Sequence, residues 1–294
     1  MMYNSIGDYM NGILIINKPL GMSSHDCVNI IRRALKTKKV GHSGTLDVEA
    51  SGVLVLGINK GTKLLNYLNQ DDKVYQFTVR FGEKTDTLDH TGKQLDKSPV
   101  QQLDDFETVL KSFEGTYEQI PPAYSAVKVD GKKLYEYARN NLEVPEVPPR
   151  KLNIYALKQL SAFTYGEAYI EVDLEVHASK GLYVRKLAED IALKYNTFAH
   201  TRAIHRIKAG DFTIADAYPL ETVSTDTQLI SLANALRSIP TYTVKQNERF
   251  AVVNGQRLNI DSNESQLKIV DEHGKLLAVY EKTEKDYRAK NVFA

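Results

Sequence analysis

The sequence predicts an α+β fold: a mixed, mainly antiparallel sheet flanked by helices, with a small β-rich C-terminal domain. Three observations carry this. Strand-like and helix-like segments intermix without a regular βαβ alternation. Two stretches, Tyr75–Phe81 and Ile170–Val176, alternate apolar and polar residues, the period of a half-buried strand. After Pro240 come three short β-type segments, separated by Asn254-Gly255 and His273-Gly274 turn signals. At 294 residues the chain is long enough for two domains. The expected division is 1–240 and 241–294, with an insertion at about 123–151 inside the first.

The elements follow in order. Ile13–Ile16 reads as a short buried strand, closed by a turn through Asn17-Lys18-Pro19-Leu20-Gly21. Ser24 is the expected helix N-cap, with Asp26 in the first turn complementing the helix dipole. Cys27, Ile31, Ala34 and Leu35 then repeat at helical spacing. Val53–Ile58 is wholly apolar, the mark of a central strand. Phe106–Phe113 and Leu134–Arg139 read as helices, and Asp130-Gly131 between Val127 and Lys133 as a hairpin turn. Pro145, Pro148 and Pro149 give an extended connector. Gly181 leads into a helix with apolar Leu187, Ala188 and Ile191, and Leu229–Leu236 reads as helical. Phe250–Val253, Leu267–Val270 and Leu276–Tyr280 are the β-type segments of the tail.

Composition narrows the function. The net charge is only +1, so any nucleic-acid site must come from how charge is distributed. Residues 28–45 hold Arg32, Arg33, Lys36, Lys38 and Lys39 and no acid. Residues 200–210 hold His200, Arg202, His205, Arg206 and Lys208, again without an acid. Cys27 is the single cysteine, which excludes an internal disulfide and fits a reducing cytoplasm. No Cys/His spacing indicates a metal. Gly12–Ile16 is too short for a signal peptide or membrane span, so the expectation is a cytoplasmic protein without membrane contact. There is no P-loop and no strand-GxGxxG-helix pattern.

The densest candidate is Gly41-His42-Ser43-Gly44-Thr45-Leu46-Asp47, set between a basic run and the apolar strand. Gly41 and Gly44 permit backbone geometries that other residues resist. Asp47 has no partner carboxylate nearby except Glu49, so a glycosidase pair is not indicated. The plain alternative is an Asp that only shapes a turn.

This stretch closely resembles the catalytic motif of the tRNA pseudouridine-55 synthases, the TruB-type family. The resemblance continues through Asn17-Lys18-Pro19 with Gly21–Ser24, Lys73-Val74-Tyr75, Gln119–Lys128, Gly131–Arg139 and Ser179–Arg185. The tail resembles a PUA-type RNA-binding domain. The resemblance implies a pseudouridine-synthase-like fold. It also implies isomerisation of a T-arm uridine in tRNA, detached at N1 and rejoined through C5, without cofactor or metal. It makes Asp47 the reacting carboxylate, Arg185 its charged partner and Tyr75 an active-site ring. Read from the residues alone, Arg185 falls off the Leu187/Ile191 stripe as a surface arginine would. Tyr75 reads as an ordinary core-face tyrosine.

The resemblance also places Tyr183 and Ile204 in the pocket, and His42 as a wedge in the space of a flipped base. Flipping costs a few kcal/mol, and stacking on an aromatic returns about 1–3 kcal/mol per base. Gly44 allows close approach, while Lys18, Arg32, Arg33, Lys38, Lys132, Lys133, Arg202 and Arg206 are candidate phosphate contacts. The 123–151 segment is the expected RNA clasp. The sequence departs from the family at Asn17, commonly Asp, and His205, commonly Arg. The expected partner is the T-arm stem-loop, bound by a monomer. Two alternatives stand: a tRNA folding helper without chemistry, and a guide-RNA-dependent relative.

Overall fold

The computed structural model describes residues 10–68, 72–99, 102–140 and 142–293. Residue 141 of the expected clasp therefore lies outside the described residues. In chain order the principal elements are β1 (Gly12–Lys18), α1 (Ser24–Ala34), β2 (Val40–Ser43), β3 (Ala50–Ile58), β4 (Asp72–Phe81) and β5 (Gly115–Gln119). A hairpin of β6 (Lys128–Val129) and β7 (Lys132–Lys133) follows, then α2 (Leu134–Arg139), β8 (Arg150–Gln159), β9 (Ile170–Ser179) and α3 (Val184–Leu193). Next are β10 (Ala199–Ala209) and β11 (Tyr218–Pro219), and last β12 (Thr241–Thr243), β13 (Gln266–Val270), β14 (Leu276–Lys282) and β15 (Tyr287–Val292).

The chain divides into two compact units. The first holds residues up to Val48, 53–69 and everything from Gly210 onward. In it β1 lies between β3 and β11, and β2 pairs antiparallel with β3, His42 opposite Leu56. The wholly apolar run Val53–Ile58 of β3 is explained by its burial along its whole length. One core cluster joins Leu14, Ile16, Leu54 and Leu56 to the apolar stripe of α1: Cys27, Val28 and Ile31. The N-cap of α1 is Ser23, not Ser24: the Ser23 hydroxyl accepts from the Asp26 N–H, and Asp26 accepts from the Ser23 N–H. Ser24 is buried and used elsewhere.

The same unit carries the β-rich tail, a four-stranded sheet in the order β12-β13-β14-β15 with its own core of Val244, Leu267, Ile269, Leu277 and Tyr280. Phe250–Val253 lies in a helix, Arg249–Val253, rather than a strand. A strand would put Phe250 and Val252 on one face, yet Phe250 is 72% exposed and Val252 fully buried. The Asn254-Gly255 pair ends that helix, Gly255 at φ +67°. Within Leu229–Leu236 only Leu232–Ala235 is helical, capped by Ser231, because Ile230 pairs in extended form with Ile13.

The second unit holds residues 49–52 and 70–209. Its strands run in the order β10-β4-β9-β8-β5, all antiparallel, with residues 50–52 of β3 parallel to β10. In β4, Tyr75, Phe77, Val79 and Phe81 face the core, as their alternation requires. Helix α3 packs against β10 and buries Leu187, Ala188, Ile191 and Ala192. Asp130 and Gly131 both take positive φ, the geometry of a tight hairpin turn between β6 and β7. Gly52 sits so close to β10 that an added Cβ would lie 2.2 Å from the Arg206 carbonyl oxygen. No side chain fits there.

Candidate active site

Asp47 is exposed in the loop between β2 and β3, and both its neighbours are fixed. On one side, the Leu46 N–H donates to the Ser24 hydroxyl at 3.0 Å, and that hydroxyl lies 3.2 Å from the Leu46 carbonyl. On the other, the Val48 carbonyl accepts from the Gly21 N–H at 3.0 Å and from the Lys18 ammonium at 3.3 Å. Lys18 also donates to the Met22 and Pro19 carbonyls at 2.5 and 2.9 Å. Gly44 enters the loop at φ +72°, where glycine is favoured, whereas Gly41 lies within β2. The loop thus presents a carboxylate whose flanking backbone is held by buried Ser24 and Lys18 and by the Gly21 N–H.

Lys18 is fully buried and spends its charge on carbonyls, so it does not present a phosphate contact. Arg32 is likewise engaged: its guanidinium donates to Asn29 and to the Val40 carbonyl. Arg33, Lys36, Lys38 and Lys39 are exposed beside it, and His42 is half-buried on β2.

The second unit gathers the other candidates. Tyr75 is 8% exposed, with Val176 and Arg206 as its cross-strand neighbours. Ile204 is buried between Phe77 and Ala50 in register. Arg206 is 1% exposed and so does not offer its charge to solvent. Arg202 is half-exposed, 3.4 Å from Glu171. Lys132 and Lys133 lie over the rings of Tyr137 and Tyr135, at 5.8 and 5.3 Å from the centroids. The His205 Nδ1 is 2.8 Å from the Ser51 hydroxyl, and burial pushes its pKa down, favouring a neutral ring.

Arg185 stands in the first turn of α3, after the N-cap Tyr183. It is 4% exposed, so the surface reading fails. Its Nη1 donates to the Thr87 carbonyl at 2.6 Å and its Nη2 to the Tyr124 carbonyl at 2.9 Å. Thr87 belongs to a tight loop over 85–92. There Asp89 accepts from Thr87 and Thr91, Leu88 takes φ +60°, and the Leu88 carbonyl accepts from Thr201. This loop was not singled out by sequence, although its run of Thr and Asp is a turn signal. Among the described residues no group of three His, Cys, Asp or Glu is placed to hold a metal, and no helix is long and apolar enough to cross a membrane.

A fixed, exposed carboxylate in one unit and a buried guanidinium beside tyrosines in the other can be compared with known proteins. Residues 32–184 match the model of the TruB family pseudouridylate synthase N-terminal domain. A tRNA pseudouridine synthase B of Staphylococcus aureus (strain MSSA476) is 40% identical over 287 residues, 92% of this chain and 94% of that protein. The chain belongs to the TruB family of pseudouridylate synthases. Two solved structures share the fold at a TM-score of 0.70. One is an H/ACA RNP bound to a substrate RNA containing 2'-deoxyuridine, 20% identical, covering 96% of this chain and 85% of that one. The other is a Cbf5-Nop10-Gar1 complex, 22% identical with the same coverage.

In this TruB-family chain, the matched segment includes Asp47 and Tyr75 and stops one residue before Arg185. Ser24 is the loop support that sequence assigned to capping instead. Ser24→Ala removes the hydroxyl on both polar atoms of Leu46. It is expected to cost about 1–3 kcal/mol of stability, read by urea unfolding, and to lower pseudouridine formation more than that loss explains when assayed well below the unfolding midpoint.

Proposed function

We propose that this chain converts a uridine in the T-arm loop of tRNA, at position 55, to pseudouridine, with Asp47 as the reacting carboxylate. The observation that carries this is the Asp47 loop, clamped through Leu46 and Val48 while Asp47 itself stays exposed. The name of the Staphylococcus relatives supports tRNA as the substrate class. Preorganisation of this kind is what positions a group for attack without reorganisation during the reaction.

The reaction is an isomerisation. The N1–C1′ bond breaks, the base turns, and C5 joins C1′. The C5 proton leaves and N1 takes up a proton, so no oxidant, reductant or co-substrate enters. Asp47 acts at sugar C1′, at base C6, or by assisting elimination; each route needs an ionised carboxylate held in place. Arg185 supplies the fixed positive charge of the reaction. Tyr75 and Tyr183 receive the flipped base, with Ile204 completing the apolar wall, and His42 fills the vacated space. Arg33, Lys38, Lys132, Lys133 and Arg202 attract phosphates. The 123–151 segment closes on the RNA, and residues 241–294 act as a PUA-like RNA-binding domain. The enzyme works as a cytoplasmic monomer.

Pseudouridine mapping on an unmodified tRNA transcript, and on its isolated T-arm stem-loop, tests this reading. The full chain in the presence of a chelator is expected to modify one T-loop uridine in both RNAs, without guide RNA or partner proteins. Modification elsewhere only, or only with a guide RNA, overturns the proposal.

A further inference from the structure

Gln119, the last residue of β5, is 2% exposed and has no part in the mechanism above. Its Oε1 accepts from the Tyr183 N–H at 2.8 Å, and its Nε2 donates to the Tyr183 carbonyl at 3.1 Å. Tyr183 is the N-cap of α3 and caps nothing with its own side chain. Its carbonyl also accepts the first helical bond, from Leu187 at 3.0 Å. One carboxamide therefore holds both polar backbone atoms of the residue that starts the Arg185 helix.

The chain then makes a second hold. Five residues beyond Gln119, the Tyr124 carbonyl takes the Arg185 Nη2. Between them Pro121 and Pro122 are buried, and their rings fix φ. The 119–124 segment thus grips the helix start twice, at the Tyr183 backbone and at the Arg185 guanidinium. A carboxamide suits the first hold chemically, since it offers one acceptor and one donor to a neighbouring N–H and C=O. Leucine offers neither, and an ionised glutamate offers no donor.

We propose that Gln119 is a positioning residue for pseudouridine formation: its amide sets where Tyr183 and Arg185 stand at the start of α3. This rests on the reading of Arg185 and Tyr183 as members of the site. The titratable and charged groups near the amide include Tyr117, whose hydroxyl is 3.4 Å from Nε2, Asp190, which accepts from that hydroxyl, Lys186, paired with both Asp190 and Glu189, and the Arg185 guanidinium on the Tyr124 carbonyl. Burial and Asp190 push the Tyr117 pKa up, so this neighbour stays neutral through the working range.

The test compares wild type, Gln119→Leu and Gln119→Glu as full chains on a T-arm stem-loop, with kcat, KM and thermal unfolding for each. Gln119→Leu is expected to lower kcat on the order of 10²-fold, with KM within about threefold of wild type. Gln119→Glu gives the more specific reading. Protonated, the acid presents the same acceptor and donor as the amide; ionised, it sets a negative oxygen against the Tyr183 carbonyl. Burial favours the protonated form, so the variant's kcat relative to wild type should fall at least about tenfold from about pH 5.5 to about pH 8.5. A flat ratio overturns the proposal, as does a kcat loss that follows the unfolding temperature in both variants. Arg185→Lys, run alongside, separates the two readings. Full turnover there defeats the site assignment itself, whereas an inactive Arg185→Lys with a flat Gln119→Glu ratio defeats only the role of Gln119.

Discussion

Asp47→Asn is expected to lower pseudouridine formation by at least about 10³-fold, while RNA affinity stays within about threefold. The substitution keeps size and shape and removes only the charge and nucleophilicity of one oxygen. Asp47 is exposed, so no buried charge is lost from the core. The loop backbone is fixed by Ser24, Gly21 and Lys18 through residues 46 and 48. Single-turnover release of tritium from C5-labelled uridine reads the chemistry, and filter binding reads affinity. Retained tritium release would remove Asp47 from the reaction. Lost release with equal loss of binding would make it a contact residue and leave the folding-helper reading standing.

Some of this site was legible because its signals are local. The apolar run of β3 and the alternation of β4 need only the strand period, and the structure buries the same residues. The glycine-spaced loop before β3 marked Asp47 for the same reason. The Phe250–Val253 stretch misled because β-branched and aromatic composition is a weak prior: a single buried anchor, Val252, is served equally well by one helical turn. Ser23 and Ser24 both have capping chemistry, and only the position of Leu46 decides which one is drawn away. Lys18 reads as a surface cation in a turn until three carbonyls converge on it.

The supports of Arg185 were illegible for a deeper reason. Thr87 and Tyr124 hold it through backbone carbonyls. Every residue carries that group, so no side-chain pattern announces it. Gln119 stood in a legible motif, but its role depends on Tyr183, 64 residues away. Sequence marks candidate groups more readily than the bonds that hold them.

Arg185→Lys tests the most consequential of those bonds and is expected to lower kcat by on the order of 10²-fold or more. The guanidinium meets two carbonyls from different loops with two nitrogens of one rigid plane. A single ammonium nitrogen, with less reach than the guanidinium fork, cannot satisfy both in that geometry, so the positive charge moves toward one loop and the other carbonyl is left buried and unpaired. The expected stability loss is about 1–3 kcal/mol, small enough for the variant to be assayed folded. Arg185→Met, which removes the charge and leaves both carbonyls unpaired, should be less active still. A surface arginine contacting phosphate would behave differently. Its loss reduces the slope of log affinity against log salt by nearly one counterion, as is expected for Arg33 or Lys38. Arg185 is 4% exposed, so its variants should keep the wild-type salt slope while losing turnover. A reduced slope with modest loss of kcat would instead place Arg185 among the phosphate contacts and overturn its proposed part in the reaction.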